Sequence, residues 1–103
     1  MFASKFESNE SPFVDAPQYA LTLFITGATP RSVKAVENVQ TFCGRELEGR
    51  YELEIVDLYT NPDRAQPANV MVAPTLIRHA PKPVKLLVGD MSDTQRLHST
   101  IMA

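Results

Sequence analysis

One cysteine, no tryptophan and four glycines among 103 residues leave little scope for thiol or metal chemistry. The lone Cys43 can close no internal disulfide. It also excludes a Cys-x-x-Cys redox pair and a cysteine-rich zinc site, since each needs several thiols within one segment. Net charge is nearly lacking: ten Lys and Arg stand against twelve Asp and Glu, a formal −2 at pH 7. The excess lies at the N-terminus, where Lys5 meets Glu7, Glu10 and Asp15, and the remainder is balanced. A balanced domain has no single-sign field to draw nucleic acid or an anionic lipid surface, so neither is expected as a partner. No apolar run approaches the ~20 residues of a membrane span, and no secretory signal pattern opens the chain, so the cytoplasm is the expected compartment.

The length suits a single domain with one small core. Residues 1–18 mix Ser, Asn, Glu and Pro with isolated Phe2, Phe6 and Phe13 and carry no sustained period, which reads as a flexible arm before a domain over 19–103. From Tyr19 to Thr26 the chain is almost continuously apolar, as expected of a central strand buried on both faces. Thr29-Pro30 then offers a hydroxyl cap followed by proline at the first helical position. The helix stripe is Val36, Val39, Cys43 and Leu47, widened by Val33 and Phe42, with Gly49 as a left-handed cap and Gly44 as a weak point. Tyr51, Leu53 and Ile55 alternate with Glu52 and Glu54 in a second strand near a sheet edge. Strand, helix and strand make a right-handed βαβ unit with parallel strands.

Beyond Asp57 the pattern weakens. Asn61-Pro62 repeats the helix-start signal, but Pro67 leaves room for only one or two turns. Val70 to Ile77 contains a strand interrupted by Pro74, Pro81-Lys82-Pro83 marks a turn, and Val84 to Val88 is another apolar run ending at Gly89-Asp90. Ser92 is placed to cap a last short helix carrying Leu97 and Ile101. Arg78, His79, Lys82 and Lys85 form a basic stretch that reads first as a solvated edge loop. His79 and His98 lack a third ligand nearby, so no metal site is expected. Asp57, Asp90 and Asp93 read as turn and cap residues rather than as an acid/base group, and Cys43 reads as core packing.

Four blocks carry a resemblance. Leu23-Phe24-Ile25-Thr26-Gly27-Ala28-Thr29-Pro30-Arg31-Ser32, then Ile55-Val56-Asp57-Leu58 with Asn61-Pro62, then Ala73-Pro74-Thr75-Leu76, then Val88-Gly89-Asp90-Met91-Ser92-Asp93 resemble the KaiB family in order and spacing. The resemblance implies an α/β, thioredoxin-like βαβαββα domain, with a tetrameric βαββααβ arrangement as an alternative fold. It implies a regulatory protein without catalytic residues or cofactor, which binds a KaiC-type ATPase and modulates its phosphorylation and ATPase cycle in circadian or stress-related timing. A histidine kinase with a KaiB-like domain would be a competitor. Asn61, Arg64, Lys82 and Lys85, which lie in or beside the segment the family uses, are the expected partner contacts, and the resemblance makes Pro74 a cis-proline and Gly89 and Asp90 part of a fold-switch hinge. The rival reading is a thioredoxin-fold oxidoreductase or glutathione-dependent enzyme that uses Cys43.

Overall fold

The computed structural model describes residues 18–102, and the expected arm, Met1 to Pro17, lies outside them. Its elements are β1 (Tyr19–Ile25), α1 (Pro30–Glu46), β2 (Tyr51–Asp57), a single 3₁₀ turn (Pro62–Arg64), β3 (Thr75–Ala80), β4 (Lys85–Val88) and α2 (Thr94–Met102). The sheet runs β2-β1-β3-β4, with β1 parallel to β2 and antiparallel to β3, and β4 antiparallel to β3. This is the thioredoxin-like order, with the middle helix reduced to one turn by the prolines that bracket it.

The apolar run at Tyr19 becomes the expected central strand, and Leu21 to Phe24 are buried on both faces. Thr29 caps α1 as anticipated: its hydroxyl accepts from Ser32 N–H at 3.4 Å and Pro30 occupies the first helical turn. The buried stripe differs at two places. Val33 is exposed, while Ser32 and Ala35 face the sheet because only small residues fit where the first turn crosses β1. The Ser32 hydroxyl is satisfied there, accepting from Thr26 N–H at 3.0 Å. At the other end Leu47 is the cap, donating to Cys43 O at 2.8 Å, and Gly49 takes its positive φ two residues later in the turn to β2.

The sheet has two unlike faces. On one, α1 and α2 cover Leu21, Leu23, Leu76 and Leu87 with Ala35, Val39, Phe42, Cys43, Leu97 and Ile101. On the other, the irregular segment 58–74 packs Val70, Leu58, Ala65 and Ala68 on Phe24, Val56 and Ile77. The last helix begins one residue later than expected, because Asp93 rather than Ser92 caps it, its Oδ1 accepting from Gln95 and Arg96 N–H at 3.1 Å.

The largest correction concerns Arg78, expected in a solvated basic loop and only 1 % exposed. It shares the helix-covered face with Leu76 by strand alternation. Its guanidinium donates to Ile101 O at 3.0 Å and Pro83 O at 2.8 Å, so the long side chain ties the last turn of α2 to the β3–β4 turn.

Candidate interaction face

Period-two alternation sends Ala20, Thr22 and Phe24 of β1, Glu52 and Glu54 of β2, and His79 of β3 to the face that carries no long helix. With Arg64, Pro67 and Ala68 from the covering segment they line an open groove of about 830 Å³. Its floor is apolar and its rim polar. Thr22 Oγ1 lies 2.8 Å from His79 Nε2, a hydrogen bond that fixes the imidazole across the sheet. On the far rim Arg64 makes a two-pronged contact with Glu54, at 3.0 and 3.1 Å. The Arg64 hydrogen bond holds the Glu54 carboxyl below its usual range, and Glu54 in turn raises Arg64. Sequence reasoning had singled out Arg64 but neither Thr22 nor Glu54; their signal is parity, since both share the face of Phe24.

At the carboxyl end of β1 and β2, Asp57 Oδ1 accepts from Gly27 N–H and Tyr59 N–H, each at 2.9 Å. Asn61 finishes the same turn, donating from Nδ2 to Asp57 O at 3.3 Å and Thr60 Oγ1 at 2.9 Å. A second, smaller recess of about 360 Å³ lies beside Gly89, Asp90, Asp93, Arg31 and Arg96. Asn38 of α1 pins this loop by donating to Asp90 O at 2.9 Å. Hydrogen bonds from the Ser92 hydroxyl and amide hold the Asp90 carboxyl below its usual range. Gly89 has φ +126°, a conformation that side chains disfavour.

The four expected contact residues do not converge. Asn61 follows β2 and Arg64 sits along its edge, whereas Lys82 and Lys85 belong to the turn and start of β4, at the opposite edge of the sheet. Pro74 is cis, as the resemblance implied; Pro81 and Pro83 are cis as well, which no sequence signal had indicated. His79 is bound to Thr22, and His98 sits edge-on to Phe42, centroids 6.1 Å apart. Among the described residues no three His, Cys, Asp or Glu stand close enough to hold a metal, and no helix is long and apolar enough to cross a membrane.

At the loop where a thioredoxin-type thiol would stand, the chain has Gly27-Ala28-Thr29-Pro30. Cys43 is buried in the helix-covered core, and burial pushes its thiol up to about 11. A thiol so placed is a poor nucleophile at neutral pH.

Comparison with known proteins agrees with this geometry. The KaiB domain matches residues 22–102. The chain belongs to the KaiB family. It is 38 % identical over 84 residues to "Circadian clock protein KaiB3" of Synechocystis sp., covering 82 % of each chain. It is 35 % identical over 79 residues to "Circadian clock oscillator protein KaiB" of Gloeothece citriformis, covering 77 % of this chain and 74 % of that one. In three dimensions it resembles the N-terminal domain of SasA from Synechococcus elongatus, with TM-score 0.67 and 22 % identity, over 90 % of this chain and 89 % of that one. Mitochondrial thioredoxin 3 of Saccharomyces cerevisiae also superposes, with TM-score 0.67 and 12 % identity over 84 % of this chain and 79 % of that one. These two likenesses establish the thioredoxin-like fold, and the family comes from the sequence matches.

Proposed function

We propose that this KaiB-family chain is a non-enzymatic regulatory protein that binds a KaiC-type ATPase and modulates its phosphorylation and ATPase cycle, in circadian or stress-related timing. The observation that carries the proposal is the KaiB domain match over residues 22–102, joined to relatives whose names describe clock proteins. Support also comes from the chemistry at hand. The buried, weakly acidic Cys43 gives the rival thiol-enzyme reading no accessible reagent. Asn61, Arg64, Lys82 and Lys85 remain the proposed contacts, now as two separate sets: Asn61 with Arg64 beside β2, and Lys82 with Lys85 beside β4. A histidine kinase with a KaiB-like sensor domain would compete for the same partner, since it would present a similar surface.

The proposal includes exchange with a tetrameric βαββααβ arrangement, with Pro74, Gly89 and Asp90 in the rewired half. Gly89→Ala would penalise the present arrangement, whose φ of +126° at this position suits glycine. A penalty of about 1 kcal/mol shifts a two-state population roughly fivefold, and a partner that recognises one state loses affinity by the same fraction.

The test is size-exclusion chromatography of the full chain with a KaiC-type ATPase from the same source. Co-elution that weakens on Arg64→Glu or Lys82→Glu, with the fold intact by circular dichroism, is the expected result. An insulin-reduction assay showing turnover abolished by Cys43→Ser would move the protein to the rival class.

A further inference from the structure

The single 3₁₀ turn between β2 and β3 leaves part of the thin face bare. Segment 58–74 covers Phe24, Val56 and Ile77 near the carboxyl end of β1, and its Pro67 and Ala68 form one wall of the groove. Ala20 and Thr22, nearer the start of β1, form the floor, with Glu52 and Glu54 of β2 on one side and His79 of β3 on the other. The chain enters the fold at this open end. Gln18 and Tyr19 N–H both donate to Arg50 O, at 3.0 and 3.1 Å, and Gln18 Oε1 accepts from Arg50 Nη1 at 3.3 Å. Gln18 is thereby fixed two residues from Ala20, so the residues that precede it in the sequence start from the mouth of the groove.

We propose that the groove is occupied by the chain's own residues 12–16, Pro-Phe-Val-Asp-Ala, with the Phe13 ring over Thr22 and against Pro67 and Ala68. Reach selects this stretch. Phe13 is five residues from Gln18, a span of up to about 17 Å. Thr22 is four residues along β1, about 13 Å away at the rise of a strand. Phe6 and Phe2 must close longer loops to reach the same place, at a larger entropic cost. Pro12 and Pro17 bracket the stretch and reduce the freedom it loses on docking.

Charge agrees with the placement. Asp15 is three residues from Gln18 and reaches the mouth, where the bonds of the Arg50 guanidinium run to neutral oxygens, Gln18 Oε1 and Glu46 O at 2.9 Å. A carboxylate there meets a cation that these oxygens do not neutralise. The tether does the rest: a short linker holds Phe13 at an effective concentration in roughly the millimolar range, so one ring in an apolar groove suffices. A second copy offers the same ring without the tether. The docked stretch lies beside Arg64, so a partner that contacts Arg64 has to displace it. That consequence rests on the proposed function, whereas the docking itself does not.

Amide spectra of the full chain, recorded at two concentrations for wild type, Phe13→Ala and Phe2→Ala, test the docking. The expected result is that losing the Phe13 ring moves the signals of Ala20, Thr22, Ala68 and His79 equally at both concentrations, while Phe2→Ala leaves them in place. From the groove side, Ala68→Asp sets a carboxylate against Phe13 and Asp15 and should move the signals of residues 12–16, which keeps the test open if one variant folds poorly. Unmoved groove signals in Phe13→Ala overturn the proposal. So does movement at Leu86 and Val88 instead, which would put the segment on β4, and so does movement that grows with concentration, which would put a second copy's segment in the groove.

Discussion

The two faces of the sheet are made from alternate residues of the same strands, yet one is sealed by two helices and the other is covered by an irregular segment. Leu76 and Arg78 point to the sealed face; Ile77 and His79 point to the thin one. On the sealed face the chain buries a cation, a thiol and long aliphatic side chains. On the thin face it buries a small cluster and leaves Leu86 and Val88 in solvent. The contrast separates a deeply packed side from a lightly covered one.

Adjacent residues of β3 offer the sharpest way to break that contrast. Arg78→Ala should cost roughly 3–5 kcal/mol in urea unfolding, because it opens a void and strips the carbonyls of Ile101 and Pro83 of their donor. His79→Ala, one residue along, should cost about 1 kcal/mol or less, since it loses one hydrogen bond to Thr22 at an exposed position. Equal losses would mean that the two faces are equally consolidated. Leu76→Ala should likewise cost about 3–4 kcal/mol against about 2 for Ile77→Ala, as the irregular segment can settle into the smaller void more readily than two packed helices can.

Alkaline titration probes the sealed face alone. The folded thiol of Cys43 ionises at about 11 against 9.0 for a free one. Between those values the unfolded chain releases a proton that the folded chain keeps, so stability falls as pH rises. By pH 11 the loss attributable to this group should reach about 2 kcal/mol. Unfolding of wild type and Cys43→Ala across that range isolates it, and parallel curves would place the thiol in contact with water. The smallest effect has the opposite sign. Gly44 sits on the outer side of α1, and a Cβ there meets nothing within 4 Å, so Gly44→Ala should gain about 1 kcal/mol and raise the melting temperature by several degrees.

The same division governs what could be foreseen. β1, the start of α1 at Pro30 and β2 were legible because hydrophobic period, capping hydroxyl and proline agree there, each reinforcing the others. Residues 58–74 were not. They form one 3₁₀ turn and a left-handed Asn69, held by local bonds such as Val70 N–H to Ala65 O, and such contacts leave no period in a sequence. Arg78 was misplaced because a run of basic residues suggests solvent, although alternation with Leu76 already put it on the buried face. The groove escaped notice for a related reason: Thr22, Glu54 and His79 are far apart in the chain and meet only through strand pairing. Lys82 and Lys85 could be named, but their separation from Asn61 and Arg64 depends on a strand order that local residues do not encode.

The buried guanidinium of Arg78 has one further consequence. It connects β3, the turn at Pro83 and the end of α2, so none of the three can open without breaking its bonds to the others. Residues 75–101 should therefore exchange their core amide hydrogens with solvent as one cooperative block, released together rather than fraying from the helix inward. In a second half with few local signals, this one side chain adds polar ties to the apolar contacts that Leu76, Leu87, Leu97 and Ile101 already make among the same elements.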